Sequence, residues 1–134
     1  MRVDKDDLLS CRTSDDIVRV RQEVRSRTVA LGFSLVDQTK IVTAASEIAR
    51  NTVEHGGGGT VRVQLVSEGE RKGLRLVFED RGPGIPDIQL AMTDRYTTGT
   101  GLGLGLGGAK RLSHDFKIAS TVGAGTTVAL GRWK

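Results

Sequence analysis

The spacing of apolar residues predicts two amphipathic helices in the first half of the chain. In the first helix, apolar side chains recur at helical intervals, at Ile17, Val20, Val24 and Leu31. We expect Ser14 to cap this helix, because two acidic residues follow it, and Gly32 to end it. A second helix is expected to open at Ser34, three residues before Asp37, and to stop at the glycines after His55. Its apolar stripe consists of Ile41, Ala44, Ala45 and Ile48.

Alternation of apolar and polar residues predicts that the second half of the chain is mainly β-structure. The expected strands span residues 60–66, 74–80, 116–122 and 126–130, with a short edge strand at 8–11. A helical turn is expected at 87–92 and a third helix at 108–113. The sequence therefore predicts an α+β fold in a single domain, residues 1–134. This fold is a two-layer sandwich, in which a mostly antiparallel, mixed sheet carries helices on one face.

Composition and charge narrow the classes of function. The net charge is +4, but aromatic residues make up only 4%, so a nucleic-acid surface is not expected. No apolar run is long enough for a signal peptide or a membrane span, and the single cysteine, Cys11, cannot form an internal disulfide. We therefore expect a cytoplasmic protein, with an anionic small ligand or an acidic protein partner.

A row of polar residues borders the apolar stripe of the second helix. Glu47, Asn51 and His55 recur every four residues and therefore project from one side of the helix. A glutamate can accept a proton, and an asparagine carbonyl oxygen is a hard ligand suited to Mg²⁺. The alternative is an exposed polar face with pairs along the helix, in which His55 only caps the C-terminus.

A carboxylate also closes the strand predicted at 74–80. Asp80 follows the apolar residues of that strand at even spacing, so its side chain is expected on the buried face. Such a group requires a donor, and an adenine amino group fits, since Gly82 and Gly84 leave the backbone open to a flat ligand. The alternative is a turn aspartate that bonds its own backbone.

Glycine is concentrated where a ligand could approach. Twelve of the 18 glycines lie at 56–59, at 82 and 84, and in the run from Gly99 to Gly108. That run leads into the predicted third helix, and bare amides at a helix start suit phosphate. It is neither a Walker A loop, which needs Gly-Lys-Ser/Thr, nor a Rossmann fingerprint, which needs a surrounding βαβ unit. A flexible loop is the alternative.

The three segments occur in the order that is typical of one superfamily. "EIARN" (47–51), "DRGPGI" (80–85) and "GTGLGLG" (99–105) resemble the N box and the two glycine boxes of the GHKL superfamily, the Bergerat-fold ATPases and kinases. The compact length and residues 17–51 resemble the RsbT-type serine/threonine kinases within it. The resemblance covers nearly the whole chain. It implies the Bergerat fold, with ATP and Mg²⁺ as cofactors.

The resemblance also implies a role for each motif residue. Glu47 would be the catalytic base, Asn51 would coordinate Mg²⁺, Asp80 would bind the adenine amino group, and Thr126 would support Asp80 directly or through water. The other residues implied in nucleotide binding are Gly82, Gly84, Ile85, Thr100, Gly101, Leu102, Gly103, Leu104 and Gly105. Residues 87–100 would form a short lid, from which Arg95 either reaches the γ-phosphate or stays solvated.

The implied partners are proteins. The substrate of such kinases is a serine on a STAS-domain antagonist protein, and phosphorylation frees the kinase to activate a PP2C-type phosphatase in stress signalling. The alternative function is an anti-sigma factor or nucleotide-gated binding module that sequesters partners with little catalysis. Glu47 favours the kinase, because pure binding requires no base. Neither nucleic acid nor membrane is an expected partner.

Overall fold

The structure, a computed structural model, describes residues 1–93 and 105–134. Within these ranges five strands and four helices follow one another along the chain. They are β1 (Arg2–Cys11), α1 (Ser14–Leu31), α2 (Leu35–Glu54), β2 (Gly59–Glu68), β3 (Arg71–Asp80), α3 (Ile88–Ala91), α4 (Leu106–Arg111), β4 (Asp115–Thr121) and β5 (Gly125–Trp133). Every predicted element is present. The largest difference is β1, which begins at Arg2 and not at residue 8; β3 begins three residues earlier than predicted, and β5 ends three residues later.

The strands form one sheet in the order β1-β2-β3-β5-β4. All four strand pairings in the described residues are antiparallel, so the sheet is antiparallel throughout and contains no mixed pairing. Strand β1 lies at one edge, as expected for an edge strand, and β4 lies at the other. The register pairs Asp80, the last residue of the central strand β3, with Gly59 on one side and Thr126 on the other.

Helix α1 begins one residue earlier than its expected cap implies. The N-cap is Thr13, whose hydroxyl accepts a hydrogen bond from the Asp16 amide, so the prediction that Ser14 caps the helix was wrong. Ser14 is instead the first helical residue. The prediction failed because Thr13 and Ser14 are neighbouring hydroxyl residues and either can fill an N-cap position. The predicted end is confirmed, since Gly32 adopts the left-handed conformation with φ 81°.

Helix α2 has the predicted cap and the predicted buried face. The Ser34 hydroxyl accepts from the Asp37 amide at 3.1 Å, and Ile41, Ala44, Ala45 and Ile48 are at most 1% exposed. These residues pack with Val20 and Val24 of α1 on one face of the sheet. The α+β sandwich with helices on one face is therefore confirmed.

Cys11 ends β1 inside this core. Its thiol is fully buried and points to the Ala49 carbonyl of α2, 3.6 Å away. Burial raises the pKa of the Cys11 thiol to about 11, with a smaller contribution from the negative charge of Asp16. Cys11 therefore packs as a small apolar residue. No helix in the described ranges combines the length and the apolar character that crossing a bilayer requires.

Candidate functional site

The polar residues singled out in α2, β3 and β5 meet at one pocket. Asn51 and His55, from the last turn of α2 and its C-cap, lie opposite Asp80 and Thr126 at the paired ends of β3 and β5. The remaining walls are apolar, formed by Ile48, Phe78, Ile85, Leu106 and Val128, with Thr52 as a further polar member. The antiparallel register of β3 and β5 brings together residues that lie 46 positions apart in the sequence.

Asp80 is 9% exposed and uses its two carboxylate oxygens differently. Its Oδ1 accepts a hydrogen bond from the Gly82 amide at 2.9 Å. The alternative prediction, a turn aspartate that bonds its own backbone, is therefore correct for this one oxygen. Among the described residues no donor bonds to Oδ2. Because a nearly buried carboxylate oxygen favours a donor, Oδ2 is the atom able to recognise a ligand amino group.

Glycines surround this carboxylate because side chains there would collide with it or with the backbone beside it. A Cβ at Gly56 would lie 2.5 Å from Asp80 Oδ2, and a Cβ at Gly82 would lie 2.6 Å from the Gly56 carbonyl oxygen. Gly84 has φ 77° and packs against the Thr121 backbone of β4. Within the protein, Gly82 and Gly84 thus serve close backbone packing. Their contact with a ligand stays a prediction.

Ser120 is a residue of this site that the sequence did not reveal. Its Oγ accepts from the Ile85 amide at 2.8 Å and lies 2.8 Å from Thr126 Oγ1. In the described part of the chain, the Thr126 hydroxyl therefore bonds Ser120 and not Asp80 directly. A serine in an alternating strand carries no sequence signal of such a role, because the contact depends on the register of β4 with β5.

His55 joins the end of α2 to the loop after β3. It is the C-cap residue of α2, as the alternative for His55 predicts, and its Nε2 lies 3.2 Å from the Gly84 carbonyl oxygen. A carbonyl only accepts hydrogen bonds, so Nε2 is the protonated nitrogen in this contact. His55 therefore holds the loop that carries Gly84 and Ile85 against the pocket.

Glu47 lies outside the pocket, one helical turn before Asn51. Its side chain is 32% exposed, and its Oε2 accepts from Arg50 Nη2 at 2.5 Å. Gly105 also lies close to this oxygen, because a Cβ there would collide with Glu47 Oε2. Gly105 is the N-cap of α4 and has φ 64°. One glycine of the run 99–108 thus lies beside the Glu47 carboxylate.

Five of the predicted nucleotide-binding residues, Thr100, Gly101, Leu102, Gly103 and Leu104, lie outside the described residues, as does Arg95. Their roles stay predictions. In the ranges that are described, no three histidine, cysteine, aspartate or glutamate side chains form a group suited to a metal ion. Asn51 is therefore the residue considered for a cation, in combination with oxygens of a ligand.

The pocket at Asp80 is smaller than another cavity of the molecule. The pocket at Asp80 has a volume of about 20 Å³, whereas a cavity of about 320 Å³ lies on the helix-free face of the sheet, beside Trp133 and Arg75. The larger cavity combines an Arg71–Trp133 stack with mixed charges. We assign the site by its chemistry, because the small pocket unites a nearly buried carboxylate, an amide and a histidine within apolar walls.

Comparison with known proteins shows what the chain as a whole is similar to. The sequence profile of the family described as histidine kinase-, DNA gyrase B-, and HSP90-like ATPase matches residues 36–134. The chain is 45% identical over 121 residues, 90% of its length and 91% of the relative, to the serine/threonine-protein kinase RsbT of Bacillus subtilis (strain 168). It is 39% identical over 64 residues, 45% of its length and 43% of the relative, to the anti-sigma F factor of Clostridium novyi (strain NT).

A solved structure has the same fold. The crystal structure of the RsbU and RsbW domains of Rv1364c from Mycobacterium tuberculosis superimposes with a TM-score of 0.65 at 24% identity. The superposition covers 97% of this chain and 33% of the larger protein. At that identity the similarity supports the fold alone.

Proposed function

Since this chain belongs to the family of histidine kinase-, DNA gyrase B- and HSP90-like ATPases, we propose that it is an ATP-dependent protein serine/threonine kinase that acts in partner switching. One observation carries the proposal: Asn51 and Asp80 line one pocket, and the partly exposed carboxylate of Glu47 lies one helical turn away. Asn51 and Asp80 suit the binding of a magnesium nucleotide, whereas Glu47 adds the carboxylate that catalysis requires as a base. The 45% identity to a named serine/threonine kinase over 90% of the chain supports it further.

The pocket residues bind and orient the nucleotide. Asp80 Oδ2 accepts a hydrogen bond from the adenine amino group, while Gly82 keeps Oδ1 occupied. Asn51 would hold a Mg²⁺ ion through its amide oxygen. The ion would supply positive charge that offsets the negative charge of the transferred phosphoryl group. Asn51 fits this role chemically because Mg²⁺ requires few protein ligands.

Glu47 acts on the protein substrate. Its carboxylate takes the proton from a serine hydroxyl as the serine oxygen forms a bond to the γ-phosphorus and the bond from that phosphorus to the ADP oxygen breaks. The products are a phosphoserine and ADP. General-base assistance of this kind contributes about 10²- to 10⁴-fold in rate, and the rest comes from positioning and charge neutralisation.

The partners that we propose are proteins. The substrate is a serine on a STAS-domain antagonist, and the freed kinase binds and activates a PP2C-type phosphatase in the cytoplasm. The mildly basic charge of +4 suits an acidic partner surface.

Labelling by ATP tests the reaction. Full-length protein is incubated with γ-labelled ATP, magnesium and a panel of STAS-domain proteins, and we expect label on a serine of one of them. Glu47→Gln should lower transfer about 10²- to 10⁴-fold while calorimetry still detects ATP binding. Asn51→Ala and Asp80→Asn should weaken that binding. Arg19→Met, on the outer face of α1, is the control that keeps transfer. Transfer that survives both Glu47→Gln and Asn51→Ala would contradict the assigned roles.

The second candidate function is sequestration of a sigma factor. It is favoured by the 39% identity to an anti-sigma F factor, which extends over 45% of the chain. A binding module of this kind would retain a sigma factor in affinity capture with ATP present and would do so equally well as Glu47→Gln. Capture of a sigma factor without transfer to any STAS-domain protein would favour this candidate over the kinase.

A further inference from the structure

The side chain of Glu47 must be held in one orientation by a neighbouring residue if it is to act as a base. It is unbranched, stands at the surface of α2 and is about one third exposed. A free glutamate side chain of this kind loses rotamer entropy when it is fixed in one orientation. Proton transfer nevertheless requires the carboxylate within hydrogen-bond reach of the hydroxyl. A fixed neighbour would provide this orientation before the substrate arrives.

Arg50 is the neighbour that contacts the carboxylate from within α2. Its Nη2 lies 2.5 Å from Glu47 Oε2, three positions further along the helix. A charge-assisted bond at this distance is among the strong hydrogen bonds of proteins. Because both residues belong to one helix, the backbone fixes their spacing. The bond uses Oε2 and leaves Oε1 without a bond to any residue in the described ranges.

Gly105 also limits the space around the carboxylate. It is the N-cap of α4, and a Cβ at this position would lie 3.1 Å from Glu47 Cδ and closer still to Oε2. The oxygen that bonds Arg50, Oε2, therefore also lies close to the backbone of Gly105, which leaves this side of the carboxylate little room to move.

We propose that Arg50 is a positioning residue, which holds Glu47 against Gly105 so that its Oε1 is directed at the incoming serine hydroxyl. The inference rests on the proposed kinase function and deepens it. It assigns to Arg50 no contact with ATP or substrate. The expected signature is a loss of turnover that depends on Glu47 and leaves nucleotide binding intact.

The Glu47–Arg50 ion pair can be tested without measuring any enzymatic activity. At low temperature, the Nη protons of Arg50 should give separate, slowly exchanging NMR signals in the wild-type protein, because a fixed carboxylate hinders rotation of the guanidinium. These signals should merge in Glu47→Gln. Merged signals in the wild type would overturn the inference and leave the kinase proposal standing.

Kinetics then tests the role, with single-turnover transfer to the STAS-domain substrate as the readout. Arg50→Met should lower the transfer rate about 10- to 100-fold, the usual range for a misplaced catalytic group, with the KM and Kd for ATP within about twofold of wild type. Arg50→Lys should restore part of the rate. Arg19→Met is the matched control, because Asp16–Arg19 is an ion pair of the same spacing on α1, 3.8 Å long.

The double variant decides whether Arg50 acts through Glu47. In the Glu47→Gln background, Arg50→Met should change the transfer rate less than twofold, since there is no base left to position. An equal loss in both backgrounds, or a raised KM for ATP with unchanged turnover, would overturn the inference. A wild-type protein that transfers no phosphate although the NMR pair is present would instead count against the proposed function.

Discussion

The position of the Asp80 carboxylate depends on neighbouring glycines, which have no side chain. The carboxylate is nearly buried, and Gly56 at the end of α2 comes so close that a Cβ would lie 2.7 Å from Asp80 Cβ and 2.5 Å from Oδ2. Gly56 has no positive φ, so an alanine there is allowed by its backbone. The constraint on this residue is therefore steric and directed at one carboxylate.

Gly56→Ala should accordingly lower the affinity for ATP at least tenfold, because the new methyl group displaces the Asp80 carboxylate. Overpacking of this kind costs about 1–3 kcal/mol of stability. Calorimetry measures the affinity, and thermal unfolding shows that the variant folds. The control is Gly57→Ala, where φ 77° strains the backbone but no atom lies within 4 Å of the new Cβ. Equal affinity losses in the two variants would show that Asp80 is not the cause.

At the scale of the element, the loop after β3 is fixed by two other elements. His55 at the end of α2 bonds the Gly84 carbonyl, and Ser120 of β4 accepts from the Ile85 amide. The Gly123 amide, in the turn between β4 and β5, also donates to the Pro83 carbonyl at 2.9 Å. Hydrogen bonds to the end of α2, to β4 and to the turn after β4 therefore hold the pocket wall at Ile85 in place.

Ser120→Ala should loosen this loop. Loss of the hydroxyl leaves the Ile85 amide without its acceptor, which costs about 1–3 kcal/mol for a buried group. We expect a lower melting temperature, faster hydrogen exchange at the Ile85 amide and weaker ATP binding. Ser113→Ala is the control, because within the described ranges that hydroxyl bonds just the Ala109 carbonyl of the adjacent helix α4. Unchanged exchange at Ile85 would contradict the role given to Ser120.

At the scale of the whole molecule, one ion pair connects distant parts of the chain. Asp37 in the first turn of α2 lies 2.7 Å from Arg132 near the end of β5, and Arg132 also donates to the Leu112 carbonyl. The hydrogen bond from Arg132 lowers the pKa of Asp37 below its ordinary value of 3.8, and the Ser34 contact adds to this effect. The helix layer and the sheet are thereby joined at the end of the molecule away from Asp80.

Because this pKa is lowered on folding, the contribution of Asp37 is fully present above about pH 4 and disappears as the pH falls through the lowered value. Asp37→Asn should therefore reduce the melting temperature at pH 7, and its difference from wild type should shrink towards pH 2.5. Thermal unfolding across this range measures the effect. Glu70→Gln, in the exposed turn between β2 and β3, is the control. A difference that stays constant with pH would exclude the ion pair as its cause.

The sequence by itself determined the elements and the parity of their residues. Periodicity located both long helices and the strands, and even spacing placed Asp80 with Leu74, Leu76 and Phe78 on the buried face. These properties are local, because they follow from 3.6 residues per helical turn and from alternation along a strand. Competition between adjacent hydroxyls made the cap of α1 wrong, because both Thr13 and Ser14 can fill that position.

Only the tertiary structure decided which residues meet. It paired Thr126 with Ser120, placed Gly56 against Asp80, and set Gly105 beside Glu47. These contacts depend on strand register and on the approach of elements far apart in the chain, for which neither composition nor periodicity contains information. The motif residues were therefore readable from the sequence. The residues that hold them from other elements, Ser120 among them, became visible only when distances between side chains were known.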